Sequence, residues 1–333
     1  MTDDFYKKLA DYLILNAYSL RNTGFYNGKA GIALCLFETA RHLENADIEE
    51  HAFELLQESL VLGEQKNDLS FESGLPGIAF VLLYLIRNKF VDADFDELFG
   101  EHLPKITEGL KSVSDLVQYF SFLRFFSLLS QTPGKEEFAG FTANIRNAIE
   151  TKWEQNVFEF TKVGSKLSRS QLIADFVLYL KINSMTDSPP SFHILKKYAE
   201  WYEEGKIAGR LEISFFLNRL HDKPEEDKEF FDRVSLQNET QALQELEINY
   251  KKLSLAGQLD LLYLLNRQPD QYGEYISLLE KNLFISSPEK FQSHLLKKIP
   301  GDKFIPGYLR IQIIMFSFVG FAVRCSYREF LGN

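Results

Sequence analysis

Gly24-Phe25-Tyr26-Asn27-Gly28-Lys29-Ala30-Gly31-Ile32-Ala33-Leu34-Cys35-Leu36-Phe37 has a close counterpart in Ser73-Gly74-Leu75-Pro76-Gly77-Ile78-Ala79-Phe80-Val81-Leu82-Leu83-Tyr84-Leu85. Both read Gly-x-x-Gly-Ile-Ala and run into a segment that is apolar on nearly every face. A helix that is greasy all round has to be covered on all sides. The two stretches therefore predict buried inner helices, each opened by a glycine-rich loop. Self-similarity of this kind is the signature of a repeat architecture.

Fainter copies continue downstream. Gly209-Arg210-Leu211-Glu212 leads into Ile213–Leu217, Gly257-Gln258-Leu259-Asp260 into Leu261–Leu265, and Gly307-Tyr308-Leu309-Arg310 into a run starting at Ile311. With the glycines lost, Asp115–Gln118 precedes Tyr119–Phe122, and Leu172–Asp175 precedes Phe176–Tyr179. Gly31, Gly77, Gln118, Asp175, Glu212, Asp260 and Arg310 then mark equivalent points of about seven units, at intervals that suit paired-helix repeats.

The segments between them have helical periodicity with a wet face. His51–Leu60 spaces apolar positions three and four apart with acids between them, and Asn238 to Leu253 sets Leu243, Leu246 and Tyr250 on one side. Each unit thus pairs an amphipathic helix with an apolar one. Short links such as Asn22-Thr23-Gly24 and Ser287-Pro288 suit antiparallel neighbours. The expectation is an all-α fold: a double-layered α/α toroid (barrel) of helix pairs, apolar helices inside, closing residues 1–333 into a single domain. An open superhelical solenoid is the competing arrangement, but solenoids expose a wet concave face that these inner helices do not supply.

The phrases Gly24–Ile32 and Ser73–Ile78 resemble the opening repeats of the lanthionine synthetase C-like family. The resemblance implies the double-layered toroid. It also implies, for the cyclases of the family, a zinc ion held by two cysteines and a histidine, which activates a peptide thiol for addition to a dehydrated residue. Zinc suits that task because it turns a thiol into a thiolate at neutral pH. This chain departs from the pattern. Its two cysteines, Cys35 and Cys325, stand at opposite ends of the sequence, no Cys-His pair occurs, and the six histidines show no metal spacing. The expectation is a pseudoenzyme without zinc or other cofactor.

Where the inner helices begin, several side chains are candidates for ligand binding. Tyr26, Asn27, Lys29, Glu72 and Ser73 surround the two intact glycine motifs, and Gln118, Asp175, Glu212, Asp260 and Arg310 occupy the marker positions of the later repeats. Acids at helix starts are favoured by the helix dipole, and glycines in such loops permit tight turns and close packing. The same residues would form an acidic rim for a basic or polar peptide. The reading is a binding module for a peptide or protein, an accessory factor in peptide modification or export, with a peptide-modifying enzyme as one partner. The alternative is an enzyme, a carboxylate-based hydrolase or a metal-independent peptide cyclase, with Glu38, Asp175 and Glu212 as raw material. Trp153 and Trp201, in outer or linking segments, offer no sugar platform.

Composition narrows the field further. The 333 residues carry 37 Lys+Arg against 47 Asp+Glu, a net charge of −10 that argues against nucleic-acid binding. The apolar run Ile311 to Val323 falls short of the roughly 20 residues that cross a bilayer. The first residues lack the pattern of a secretory signal. With two isolated cysteines, these features lead us to expect a cytoplasmic protein without a membrane span. The 30 Phe and 15 Tyr read as core filling.

Overall fold

The computed structural model describes residues 3–25, 28–66, 68–70, 73–111, 113, 116–161, 177, 180, 192–204, 211–217, 225–253, 258, 261–262, 264–266, 268–283, 287 and 290. Every regular element among the described residues is helical, so the fold is all-α. Tertiary contacts divide the chain into two compact units. The first holds the described residues of Met1–Ser112 and Lys251–Phe330, the second those of Val113–Tyr250.

In the first unit, α1 (Asp3–Ala17), α2 (Lys29–Leu43), α3 (Ala46–Lys66) and α4 (Leu75–Arg87) form the core. Two short helices, α5 (Phe95–Phe99) and α6 (Leu103–Leu110), follow. The apolar segments of the two glycine motifs behave as their composition demands. α2 is buried without a break from Lys29 to Ala40, and α4 from Leu75 to Leu85. α1, α3 and α4 all pack against α2. α3 supplies the amphipathic partner, burying Ile48, Ala52, Leu55 and Leu56 while Glu49, Glu50, Glu54 and Gln57 face solvent. Each large apolar side chain sealed in this way contributes about 2 kcal/mol of transfer free energy.

The corner between α2 and α3 is tight. Glu44 takes a left-handed conformation (φ 50°) and its N–H returns to the Ala40 carbonyl, while the Asn45 side chain accepts the Ile48 N–H at 3.1 Å. The turn therefore caps both helices within two residues, which sets them antiparallel. By contrast, the connection from α1 to α2 runs from Tyr18 to Gly28, longer than the Asn22–Gly24 link that the sequence suggests.

The second unit contains α7 (Leu116–Ser130), α8 (Ala139–Thr161), α9 (Phe192–Glu203), α10 (Leu211–Leu217) and α11 (Glu225–Asn249). α7 packs on α8 through aromatic rings: Phe126 stacks on Phe138 and Phe141 with centroids 5.9 and 5.0 Å away. This is the core-filling role read from the Phe content. α10 packs on α11 through a buried polar seam in which Ser214 and Ser235 share a hydrogen bond of 3.0 Å. The Tyr198 hydroxyl of α9 donates to Asn238 Oδ1 of α11 at 3.0 Å. α11, Glu225–Asn249, contains most of the Asn238–Leu253 segment in which the sequence shows helical periodicity. On α11, Leu246 is buried whereas Leu243 and Tyr250 are half-buried. α12 (Pro269–Leu283), which belongs to the first unit, completes the described helices. No described helix is long and apolar enough to cross a membrane.

Candidate functional site

The two glycine motifs fold alike. Gly28 and Gly74 are the N-cap residues of α2 and α4, both with extended backbone (φ −133° and −124°) and neither with a side chain to cap the helix. Carbonyls of the preceding loops take over that task. At α2 the N–H groups of Lys29, Ala30 and Gly31 donate to Asn22, Thr23 and Gly24 at 3.0, 3.1 and 3.3 Å. At α4 the Leu75 N–H donates to Asp68 at 2.8 Å, Pro76 has no N–H to satisfy, and Gly77 returns to Gly74 at 3.1 Å. The first-turn donors that make a helix start an anion site are already in use at both places.

Such close backbone approach is what requires glycine. A Cβ on Gly28 would run into the backbone of Gly24 and Thr23, and one on Gly74 into the Asp68 carbonyl. The loops are also joined to each other. Thr23, fully buried, donates its hydroxyl to the Ser73 carbonyl at 2.9 Å and its N–H to the same oxygen at 3.4 Å.

Of the candidate residues, Ser73 is half-buried in this junction, and its N–H donates to Ser70 Oγ at 3.2 Å. Gln118 is exposed near the start of α7, and Glu212 is the second residue of α10, both in the other unit. Tyr26, Asn27, Glu72, Asp175, Asp260 and Arg310 lie outside the described residues, as does Cys325.

Near the junction is a polar cluster of which the sequence singled out Lys29 alone. Lys29, 3% exposed, pairs with Glu58 of α3 and donates to the Tyr18 carbonyl at 3.2 Å. The Tyr18 hydroxyl donates to Glu54 and meets His51 Nδ1 at 2.8 Å. The hydrogen bond from Tyr18 is the main influence holding the Glu54 carboxyl below its ordinary range, with His51 adding to it. Burial, and then the bond to Glu54, push the Tyr18 hydroxyl up. His51, Glu54 and Glu58 lie three and four residues apart, a spacing that puts them on one helix face; what it does not reveal is that Tyr18 of the α1–α2 loop and Lys29 at the start of α2 meet that face.

A second polar contact crosses the core. Glu38 of α2, 4% exposed, accepts a hydrogen bond from the Tyr84 hydroxyl of α4. The two residues occupy equivalent places, each ten residues beyond its N-cap glycine. A glutamate inside an otherwise apolar helix is the signal in the sequence; its partner is not. Cys35, one turn earlier, is buried, and burial raises its thiol pKa well above the ordinary value. Glu38, named above as raw material for a hydrolase, is thus sealed among the side chains of the helical core. Trp201, expected in an outer or linking segment, lies in α9 and is buried. Among the described residues no cluster of three or more His, Cys, Asp or Glu forms a metal site.

No family model matches the chain, and no curated protein or solved structure is significantly similar to it.

Proposed function

We propose that this chain is a zinc-free lanthionine synthetase C-like protein: a toroid of about seven helix pairs that binds a peptide or protein ligand in its centre. It acts in the cytoplasm as an accessory factor in peptide modification or export, with a peptide-modifying enzyme as a partner and no chemistry of its own. The single observation that supports this reading best is the matched construction of the two glycine motifs. Both open a completely buried helix at an extended N-cap glycine, and the two loops are tied through Thr23 and Ser73. That is the local geometry expected of neighbouring inner helices in a double-layered helical ring.

In this reading the ligand is basic or polar. Asp175, Glu212 and Asp260 follow from their sequence register as the acids at the starts of inner helices, with Gln118 and Arg310 in equivalent positions and Tyr26, Asn27, Glu72 and Ser73 at the intact motifs. The test is fluorescence anisotropy on the full chain, with a labelled lysine-rich peptide and a glutamate-rich peptide of equal length. Tighter binding of the lysine-rich peptide, weakened tenfold or more by the triple change Asp175→Asn, Glu212→Gln and Asp260→Asn, supports the acidic rim. Equal binding of the two peptides, or a triple variant that binds like the parent, overturns it.

A further inference from the structure

Glu38 lies in a helix segment whose neighbours Ile32, Leu34, Leu36 and Phe37 are at most 1% exposed. One carboxyl oxygen, Oε1, accepts from the Tyr84 hydroxyl. The other, Oε2, is the buried side-chain polar atom without a hydrogen-bond partner among the described residues. An ionised carboxylate has lone pairs for about four hydrogen bonds, and here it receives one. A neutral acid in the same place leaves only one hydroxyl unpaired, a far smaller penalty than a bare buried charge.

We infer that Glu38 is a proton-operated latch between α2 and α4: the packed helices hold it as a neutral acid, and when it ionises the single hydrogen bond from Tyr84, although stronger to the charged form, does not offset the buried charge, so the packing of α2 on α4 loosens.

The surroundings favour the neutral acid. Burial is the largest influence on Glu38 and pushes its carboxyl up; the Tyr84 hydrogen bond and the Arg41 charge oppose it without prevailing. Arg41, on the same helix, is exposed and engaged elsewhere: its guanidinium donates to the Asn88 carbonyl at 2.9 Å and lies 3.3 Å from the centre of the Phe90 ring. The Cys35 thiol, also on α2, is held neutral by burial. From α1 come Tyr6 and Asp3, both engaged with His42, by an edge contact of 5.1 Å and an ion pair of 3.6 Å. Of the charged groups of α3, His51, Glu54 and Glu58 are held by Tyr18 and Lys29, and Asp47, Glu49 and Glu50 are exposed. From α4, the group at Glu38 is Tyr84.

The linkage follows from the proton balance. The native chain keeps a proton on Glu38 that the unfolded chain releases at ordinary carboxylate pH. Stability therefore falls as pH rises from that range through the raised value of the folded state, and stays lower above it. Urea unfolding of the full chain and of its Glu38→Gln variant, from about pH 5 to about pH 9, reads this directly. Gln retains an acceptor for Tyr84 and has no proton to lose. The expected result is that the parent loses up to about tenfold in its folding ratio per pH unit relative to Glu38→Gln within the window. Two curves that run parallel across that range overturn the latch. If Glu38→Gln does not fold, NMR titration of the parent labelled with 13C at the glutamate carboxyls replaces it. Besides Glu280, which burial also raises, one further carboxyl then titrates above the ordinary range, and it moves higher still in Tyr84→Phe. Overturning results are that no glutamate other than Glu280 titrates above the ordinary range, or that Tyr84→Phe leaves every raised carboxyl in place.

Discussion

Thr23 donates both its hydroxyl and its N–H to one acceptor, the Ser73 carbonyl fifty residues away. Each of these residues belongs to the loop in front of a buried helix, so this double bond sets where α2 and α4 begin relative to each other. Thr23→Val keeps the shape of the side chain and removes the hydroxyl. The expected loss is about 1 kcal/mol, the usual worth of a buried neutral hydrogen bond, measured by urea unfolding. A variant as stable as the parent would show that the hydroxyl does not hold the loops together.

The N-cap glycines give a sharper contrast. Gly28→Ala and Gly74→Ala force a methyl group into backbone of the preceding loop, which cannot move without breaking the bonds that cap the helix. Each should cost about 2 kcal/mol or more. Gly140 in α8 is the control: a Cβ there has nothing within 4 Å, so Gly140→Ala should be neutral or stabilising by up to about 1 kcal/mol. Thermal unfolding of the three variants ranks them, and an equal effect at Gly74 and Gly140 would contradict the close-approach account.

Much of the first unit could be read from residue order. The runs Ile32–Phe37 and Ile78–Leu85 have no polar face, and they are buried all round. His51–Leu60 alternates at helical spacing, and its apolar positions Ala52, Leu55 and Leu56 are buried along with Ser59, while Phe53 and Leu60 are half-buried. The first half of α11 was harder to read, because its buried line, Phe231, Val234, Ser235 and Asn238, mixes apolar with polar residues. The polar contacts were not legible for a different reason. Thr23 binds a backbone carbonyl, which has no residue-type signature, and Tyr84 looks like one more large residue in an apolar run until Glu38 is brought opposite.

Lys29 and Glu58 make an unequal pair, since the lysine side chain is 4% exposed and the glutamate side chain 43%. Removing one partner is costly only if the other is left buried and charged. Glu58→Gln strands the ammonium with the Tyr18 carbonyl as its remaining described acceptor, and should cost about 2 kcal/mol. Lys29→Met removes the buried charge itself and leaves Glu58 to water, so it should cost less. Chemical denaturation of both variants gives the order, and a reversed order would mean that Lys29 matters for its charge at the helix start.

At Tyr18 the prediction concerns pH. Glu54 has a lowered carboxyl because Tyr18 donates to its charged form, with His51 helping. The contribution to stability from this contact is therefore present above the unfolded carboxylate range and disappears as pH falls through the lowered folded value. Tyr18→Phe removes the main cause. Carboxyl NMR titration should then find Glu54 moved up towards the ordinary range. A Glu54 that titrates identically in both proteins would show that the tyrosine hydroxyl is not its partner in solution.

Cys35 tests the sealing of the core by reactivity. Thiol reagents attack the thiolate, and burial both raises the pKa of Cys35 and blocks approach. In the folded chain its alkylation by iodoacetamide should be at least a hundredfold slower than in urea, as read by mass spectrometry on the peptide that contains Cys35. Leu34, Leu36 and Phe37 around it are equally closed, so exposure requires α2 to separate from α1, α3 or α4. The alkylation rate should therefore rise in step with destabilisation in Gly74→Ala, a change made on a different helix. Fast labelling of the native parent, or a rate that ignores Gly74→Ala, would mean that α2 opens locally and that its packing is not the core of this unit.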